Sequence, residues 1–185
     1  MKLVLASSSP RRKELLKLAG LDFEVIVSDV DESFSDALLP NEAVELLSKR
    51  KAQAVEKLAP KDAVVLAADT VVAYEGKILG KPHSNKEAFD MLKMLSGKTH
   101  NVFTGVCIIG NGKELNYSVK SEVKFYDLTD DEIKAYIATG EPSDKAGAYG
   151  IQGKGSLLVE SINGDYFNIV GLPIASVVRS LKEFE

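Results

Sequence analysis

Apolar residues recur along the chain with two spacings, one typical of helices and one typical of strands. Spacings of three and four residues predict helices over 10–19, 41–58, 84–96, 129–137 and onward from 173. Short apolar or alternating runs predict strands over 3–6, 23–27, 63–68, 71–74, 102–109, 115–126, 157–162 and 166–170. Helices therefore alternate with strands, which indicates an α/β protein.

Two Asn-Gly pairs, Asn111-Gly112 and Asn163-Gly164, lie between predicted strands and favour hairpins. Hairpins join antiparallel strands, so we expect the sheet to be mixed rather than all parallel. The sequence has no internal repeat, low-complexity tract or linker-like stretch. We predict one α/β domain over residues 1–185, with a mixed, twisted sheet flanked by helices, bilobed around a central cleft.

Composition and charge narrow the classes of function. The 185 residues are 45% hydrophobic and 27% charged, which excludes a disordered or coiled-coil protein. The 23 Lys and Arg residues against 27 Asp and Glu residues give a net charge of −4, so any anion site must be local. The single cysteine, Cys107, excludes a disulfide framework. The apolar run 3–6 is too short for a signal-peptide core, and no run approaches the roughly 20 apolar residues of a membrane span. We therefore expect a cytoplasmic protein that binds neither nucleic acid nor membrane.

A serine-rich turn joins the first predicted strand to the first predicted helix. Ser9 suits the N-cap of this helix, and Pro10 suits its first position. Such a turn exposes backbone N–H groups and the positive end of the helix dipole, and the guanidinium groups of Arg11 and Arg12 match phosphate oxygens. A capped surface helix with two solvated arginines explains the same residues, so anion binding is one of two interpretations.

Asp69 follows the apolar run 63–68 at the expected end of a strand. Burying an unpaired carboxylate is costly, so a role in the ligand crevice of an open α/β sheet is one interpretation and a turn aspartate is the other. Asp29, Asp31 and Glu32 could join Asp69 as oxygen ligands of Mg²⁺ or Mn²⁺. A solvated acidic loop explains these three residues as well.

The glycine-rich loop 144–155 shows no hydrophobic period. Its glycines allow a ligand to approach the backbone closely, Lys145 can meet a phosphate, and Gln152 can both donate and accept toward a base edge. A mobile surface loop is the alternative, although Tyr149 and Ile151 are unusual in a solvated linker.

Six short motifs, taken together, resemble the Maf family of nucleoside-triphosphate pyrophosphatases. They span essentially the whole chain in the family's order: 5–12 (LASSSPRR), 68–70 (ADT), 80–82 (GKP), 95–100 (LSGKTH), 145–153 (KAGAYGIQG) and 170–173 (VGLP). The resemblance implies hydrolysis of a nucleoside triphosphate between its α and β phosphates, with Mg²⁺ or Mn²⁺ as cofactor. It also implies a fold similar to that of the inosine-triphosphate pyrophosphatases.

The resemblance further implies roles for individual residues. The subgroup of the family that acts on dTTP and UTP has Arg, Thr and Gln at three discriminating positions, which fall on Arg12, Thr70 and Gln152. Asp69 matches the family's proton acceptor, and metal ligation by Asp69 together with Glu32 is an equally physical role that the sequence leaves open. The expected substrate-binding residues are Ser7, Arg11, Arg12, Lys51, Thr70, Lys81, Lys145 and Gln152.

Other functions fit parts of the pattern. A nucleotide-binding regulator of cell division that does not hydrolyse its ligand is the alternative, although Asp69 and the acidic cluster argue against it, because binding alone favours fewer negative charges near a triphosphate. A family member with another base preference, such as 7-methyl-GTP, would differ at the three discriminating positions. The expected partner is a small-molecule nucleotide, and the sequence leaves the oligomeric state open, a homodimer included.

Overall fold

The computed structural model describes residues 2–35 and 37–185, and over these residues a seven-stranded mixed sheet is flanked by helices. The strands are β1 (Lys2–Leu5), β2 (Glu24–Val25), β3 (Ala63–Tyr74), β4 (Lys77–Leu79), β5 (Thr99–Gly110), β6 (Lys113–Phe125) and β7 (Val159–Asn163). The helices are α1 (Pro10–Leu18), α2 (Pro40–Glu56), α3 (Asn85–Leu95), α4 (Asp130–Ile137), α5 (Tyr166–Val170) and α6 (Ile174–Leu181).

The sheet combines a parallel part and an antiparallel part. Its strand order is β2-β1-β3-β5-β6-β7, with β4 paired to β3 beside this path. β1 runs parallel to β2 and β3, whereas β3, β5, β6 and β7 pair antiparallel in turn. The predicted mixed α/β sheet is therefore confirmed.

Buried apolar residues form clusters toward the two ends of the long strands. Near β1, Leu5 and Leu66 pack with Leu172 on one face of the sheet, and the α2 side covers the other face. At the far end, Leu92 and Phe125 pack with residues of α3 and α4. Because β3, β5 and β6 pass through both regions, they join two lobes, and the cleft described below lies between these lobes.

Residues 166–170 form the helix α5, so the predicted strand after Asn163-Gly164 is wrong. The side chain of Asp165 accepts a hydrogen bond from the Phe167 N–H at 2.8 Å and caps the helix, and Gly171 ends it with φ 127°. An apolar run of five residues carries no period that separates a helix from a strand. Local capping decides the outcome here.

Gly105 on β5 allows α2 to lie directly against the sheet. A Cβ atom at this position would stand 2.2 Å from the Val44 carbonyl oxygen and 2.4 Å from its carbon, both backbone atoms of α2. Backbone atoms cannot rotate away, so a larger residue must displace the helix.

We predict that Gly105→Ala lowers the free energy of unfolding by at least about 1–3 kcal/mol, the usual cost of overpacking a core. Urea denaturation measures this loss. Gly80→Ala is the matched control, because a Cβ there meets no atom within 4 Å. Equal stability of the two variants would contradict the close approach of α2.

Candidate active site

A cavity of about 740 Å³ opens between the two lobes, a volume typical of small-molecule sites. Asp29 and Asp31, two of the acidic candidates, do not line the cavity, but ten other residues that the sequence predicts for the site do. They are Ser7, Arg11, Arg12, Glu32, Lys51, Asp69, Thr70, Lys81, Lys145 and Gln152. The structure thus gathers them from distant parts of the chain around one cavity, while their individual roles stay predictions.

Asp69 lies inside β3, so its predicted place at a strand end is wrong. β1 pairs with β3 only up to Leu66, and β4 pairs with it only from Val72. Among the residues described, no strand pairs with this edge of β3 from 67 to 71, while β5 continues along the other edge. The sheet therefore has a gap in its edge at Asp69 and Thr70.

Successive side chains of a strand point to opposite faces of a sheet, so Asp69 and Thr70 point to different faces. Asp69 contacts Lys51 on α2, at one face. Thr70 contacts Arg12 and lies beside Gly171, at the other face. The gap in the sheet edge allows one cavity to include both side chains.

Lys51 joins two carboxylates with a single ammonium group. Its Nζ lies 2.5 Å from Asp69 Oδ1 and 2.7 Å from Glu32 Oε1. Asp69 is only 14% exposed, and Lys51 17%. The hydrogen bond from Lys51 is the main cause that lowers the pKa of Glu32, and the charges of Lys51, Lys81 and Arg12 lower it further. Glu32 is therefore held ionised beside Asp69.

Arg12 makes three hydrogen bonds to well-separated segments of the chain. Its Nε donates to the Gly171 carbonyl at 2.8 Å, one terminal nitrogen donates to Ser7 Oγ at 3.1 Å, and the other donates to Thr70 Oγ1 at 3.2 Å. Burial lowers the pKa of the guanidinium, and the charge of Asp69 acts in the opposite direction. A desolvated cation in this position gains from an anion in the cavity.

The turn before α1 has the form of an anion site. α1 begins at Pro10 with Ser9 as N-cap, but the Ser9 side chain makes no capping bond, and the Ser9 N–H donates instead to Ser7 Oγ at 3.2 Å. Pro10, Arg11 and Arg12, the first residues of the helix, line the cavity, and a helix start leaves backbone N–H groups without an internal partner. Positive charge therefore meets the cavity at this end.

The glycine-rich loop folds into short 3₁₀ turns, and Tyr149 of this loop packs into an aromatic cluster with His100 and Phe125. Tyr149 hydrogen-bonds His100 through its hydroxyl at 2.7 Å and meets Phe125 edge-on, with ring centroids 4.7 Å apart. Glu141 accepts hydrogen bonds from the N–H groups of Lys154 and Gly155. These contacts hold the segment that carries Gln152.

Lys145 borders the cavity but is paired within its own loop. Its Nζ donates to the Glu141 carbonyl at 2.6 Å and to Asp144 Oδ1 at 2.7 Å. Lys81, by contrast, has an exposed side chain at the cavity margin. An incoming phosphate must therefore compete with Asp144 for Lys145, whereas Lys81 is exposed to solvent.

Two buried residues behind the cavity, Thr104 and Asn168, were missed by the sequence analysis. Both are fully buried, and Thr104 bonds Thr70 at 2.9 Å and the Asn168 carbonyl at 2.9 Å. The available signal was weak, because each is a single polar residue within an apolar run.

Comparison with known proteins places this arrangement in a family. A family model described as "Maf-like protein" matches residues 2–184, and the chain belongs to this family. It is 55% identical over 183 residues to a dTTP/UTP pyrophosphatase of Bacillus cereus, covering 99% of this chain and 95% of that protein. It is 54% identical, with the same coverage, to a dTTP/UTP pyrophosphatase of Bacillus anthracis.

A solved structure supports the fold. The HAM1 protein from Coxiella burnetii superposes with a TM-score of 0.54 at 15% identity, and 99% of each chain is covered. Likeness at this level of identity concerns the fold alone, and it agrees with the predicted α/β architecture.

Neither a membrane span nor a carboxylate-rich metal cluster is found in the described part of the chain. Within residues 2–35 and 37–185, no helix is long and apolar enough to cross a bilayer. Over the same residues, no three His, Cys, Asp or Glu side chains gather as a metal site. Glu32 and Asp69 are the two cavity carboxylates that contact Lys51 Nζ.

The buried His100 makes stability depend on pH. Burial lowers its pKa from 6.5 to about 4, so between these values the unfolded chain binds a proton that the native protein does not. Above about pH 6.5 His100 is neutral in both states and does not lower the free energy of unfolding. As the pH drops toward 4, the unfolded chain takes up the proton and the free energy of unfolding falls.

We predict a loss of up to about 3 kcal/mol in the free energy of unfolding over this interval. Urea denaturation at several pH values measures it, and His100→Gln should flatten the slope. The exposed His83 provides the control His83→Gln, which should leave the slope in place. A His100→Gln slope equal to that of the unsubstituted protein would refute the assignment.

Proposed function

We propose that this protein hydrolyses nucleoside triphosphates, with preference for dTTP and UTP, to the monophosphate and pyrophosphate. Its membership of the Maf family and its 54–55% identity to relatives named dTTP/UTP pyrophosphatase support the proposal. The observation that carries it is the Lys51 bridge between Asp69 and Glu32, beside the start of α1 in one cavity. A reactive carboxylate and a phosphate-binding helix start meet there.

The triphosphate would bind along the cationic side of the cavity. The start of α1, with Ser7 and Arg11, offers N–H groups, a hydroxyl and a guanidinium to phosphate oxygens. Lys51 and Lys81 add charge, and Lys145 joins them when it leaves Asp144. Phosphoryl transfer depends mainly on such positioning and charge neutralisation.

Asp69 would receive the proton of the attacking water. As the water oxygen forms a bond to the α phosphorus, the bond from that phosphorus to the bridging oxygen breaks, and pyrophosphate leaves with the electron pair. Asp69 is close to Lys51, which holds its carboxylate in one orientation.

Glu32 and Asp69 also fit a divalent cation such as Mg²⁺ or Mn²⁺. Both are carboxylates that contact the same Nζ, and together they would hold the cation. Mg²⁺ commonly binds one or two carboxylates together with substrate phosphates. When bound, such a cation neutralises phosphate charge and lowers the pKa of water.

The base would be recognised near Thr70 and Gln152. Thr70 is held by Arg12, and Gln152 lies on the anchored loop at the cavity margin. Hydrogen-bonding groups of this kind discriminate strongly, because a mismatched base leaves them unpaired. Free nucleotides as substrates fit the predicted cytoplasmic location. A homodimer stays a prediction.

Pyrophosphate release from a panel of nucleotides tests the proposal. With Mg²⁺ or Mn²⁺ present, we expect rapid release from dTTP and UTP and slow release from CTP, GTP, ITP and 7-methyl-GTP. Preference for another base would retain the reaction and reject Arg12, Thr70 and Gln152 as selectors. Binding of nucleotides with no release would favour the non-hydrolysing regulator.

Asp69→Asn should lower kcat by about 10²–10⁴, because the amide cannot accept the proton. Steady-state pyrophosphate release measures this loss, and urea denaturation checks the fold. Asp62→Asn, at an exposed residue just before the same strand, should keep full activity. Turnover by Asp69→Asn at the level of the Asp62→Asn control would remove Asp69 from the mechanism.

A further inference from the structure

A chain of hydroxyl groups runs from the cavity into the core. Thr70 Oγ1 borders the cavity and lies 2.9 Å from Thr104 Oγ1, its cross-strand neighbour on β5. Thr104 is fully buried, and its oxygen lies 2.9 Å from the main-chain carbonyl of Asn168. The Asn168 side chain is fixed in turn by hydrogen bonds to the Val102 carbonyl and to Ser121.

The direction of each hydrogen bond in this chain follows from counting protons. A carbonyl oxygen can only accept, so the contact between Thr104 and the Asn168 carbonyl must contain the hydroxyl proton of Thr104. Thr104 then has no proton for Thr70, and the contact between the two hydroxyl groups must contain the proton of Thr70. The other internal acceptor near Thr70, the Gly171 carbonyl at 3.5 Å, would consume that proton as well.

The Thr70 hydroxyl oxygen can still accept one hydrogen bond from a ligand. A hydroxyl oxygen accepts up to two hydrogen bonds, and Arg12 supplies one of them at 3.2 Å. The only proton of Thr70 is already donated within the protein. Thr70 can therefore accept a hydrogen bond from a ligand but cannot donate one to it. We infer that Thr104 is a positioning residue that fixes the Thr70 hydroxyl as an acceptor, so that the cavity selects a pyrimidine whose ring nitrogen carries a hydrogen.

The feature that separates substrates is the ring N–H of the base. This assignment rests on the proposed function, in which Thr70 meets the base. Uracil and thymine carry an N–H between two carbonyl groups, whereas cytosine has a bare nitrogen with a lone pair at that position. An N–H pairs with the Thr70 oxygen. A bare nitrogen places two lone pairs against each other and leaves both groups unpaired.

The substitution Thr104→Val tests this assignment, because valine keeps the shape and removes the hydroxyl. The Asn168 carbonyl keeps its bond from the Gly171 N–H at 3.1 Å, so the variant leaves it one partner. The proton of Thr70 is then released from Thr104. Its remaining internal acceptor, the Gly171 carbonyl at 3.5 Å, is distant and weak, so the proton can be donated to a base instead. We expect the ratio of kcat/KM for UTP over CTP to fall about tenfold, through a gain for CTP together with a loss for UTP.

Two further variants control for packing. Thr104→Ser restores a hydroxyl at the same place and should restore the ratio. Thr99→Val makes the same change at an exposed position of the same strand and should leave the ratio unchanged. Should Thr104→Val fail to fold, as judged by its unfolding midpoint, Thr104→Ala provides the same comparison.

The outcomes separate this inference from the proposed function. If the unsubstituted protein prefers UTP and Thr104→Val lowers kcat/KM for UTP and CTP equally, the inference is overturned and the pyrophosphatase activity stands. If the unsubstituted protein releases no pyrophosphate, the proposed function fails. Binding of α,β-imido analogues of UTP and CTP then decides the inference: a lower UTP preference in Thr104→Val supports it, and an unchanged preference overturns it.

Discussion

The site depends on one partly buried cation, the guanidinium of Arg12. Its three donors reach a hydroxyl in the turn before α1, a hydroxyl on β3 and a carbonyl after α5, and the most distant pair is separated by 159 residues. A partly desolvated charge is stabilised by acceptors from the protein, so these three segments are fixed relative to one another. The turn before α1 and the Thr70 hydroxyl on β3 are thereby joined through one side chain.

The second constraint is the interrupted edge of β3. Where β1 has ended and β4 has not begun, Asp69 and Thr70 point to opposite faces of a sheet that is open at that edge. Gly105, paired with Asp69 across β5, lets α2 lie on one face and bring Lys51 to the carboxylate. A ligand at the open edge can therefore meet a carboxylate on one face and a hydroxyl on the other.

The sequence analysis predicted the elements better than the connections between them. The apolar run before Asp69 indicated a buried strand, but pairing with β5 carries that strand through the polar pair 69–70, which no local pattern reveals. The helix over 166–170 depends on the cap at Asp165 rather than on a period. Motifs identified Arg12, because its neighbours in sequence mark it. Thr104 was missed, because its carbonyl partner lies 64 residues away and a buried threonine in a strand has no sequence signature.

In the proposed complex, one cavity holds the α phosphorus at Asp69 while the base meets Thr70. A crystal structure of the protein with α,β-imido-dUTP, an analogue that cannot be cleaved between those phosphates, tests both placements at once. We expect the α phosphorus nearest to Asp69, the outer phosphates at the start of α1, and the ring N–H within hydrogen-bond distance of the Thr70 hydroxyl. A γ phosphorus at Asp69, or a base bound away from Thr70, would contradict it.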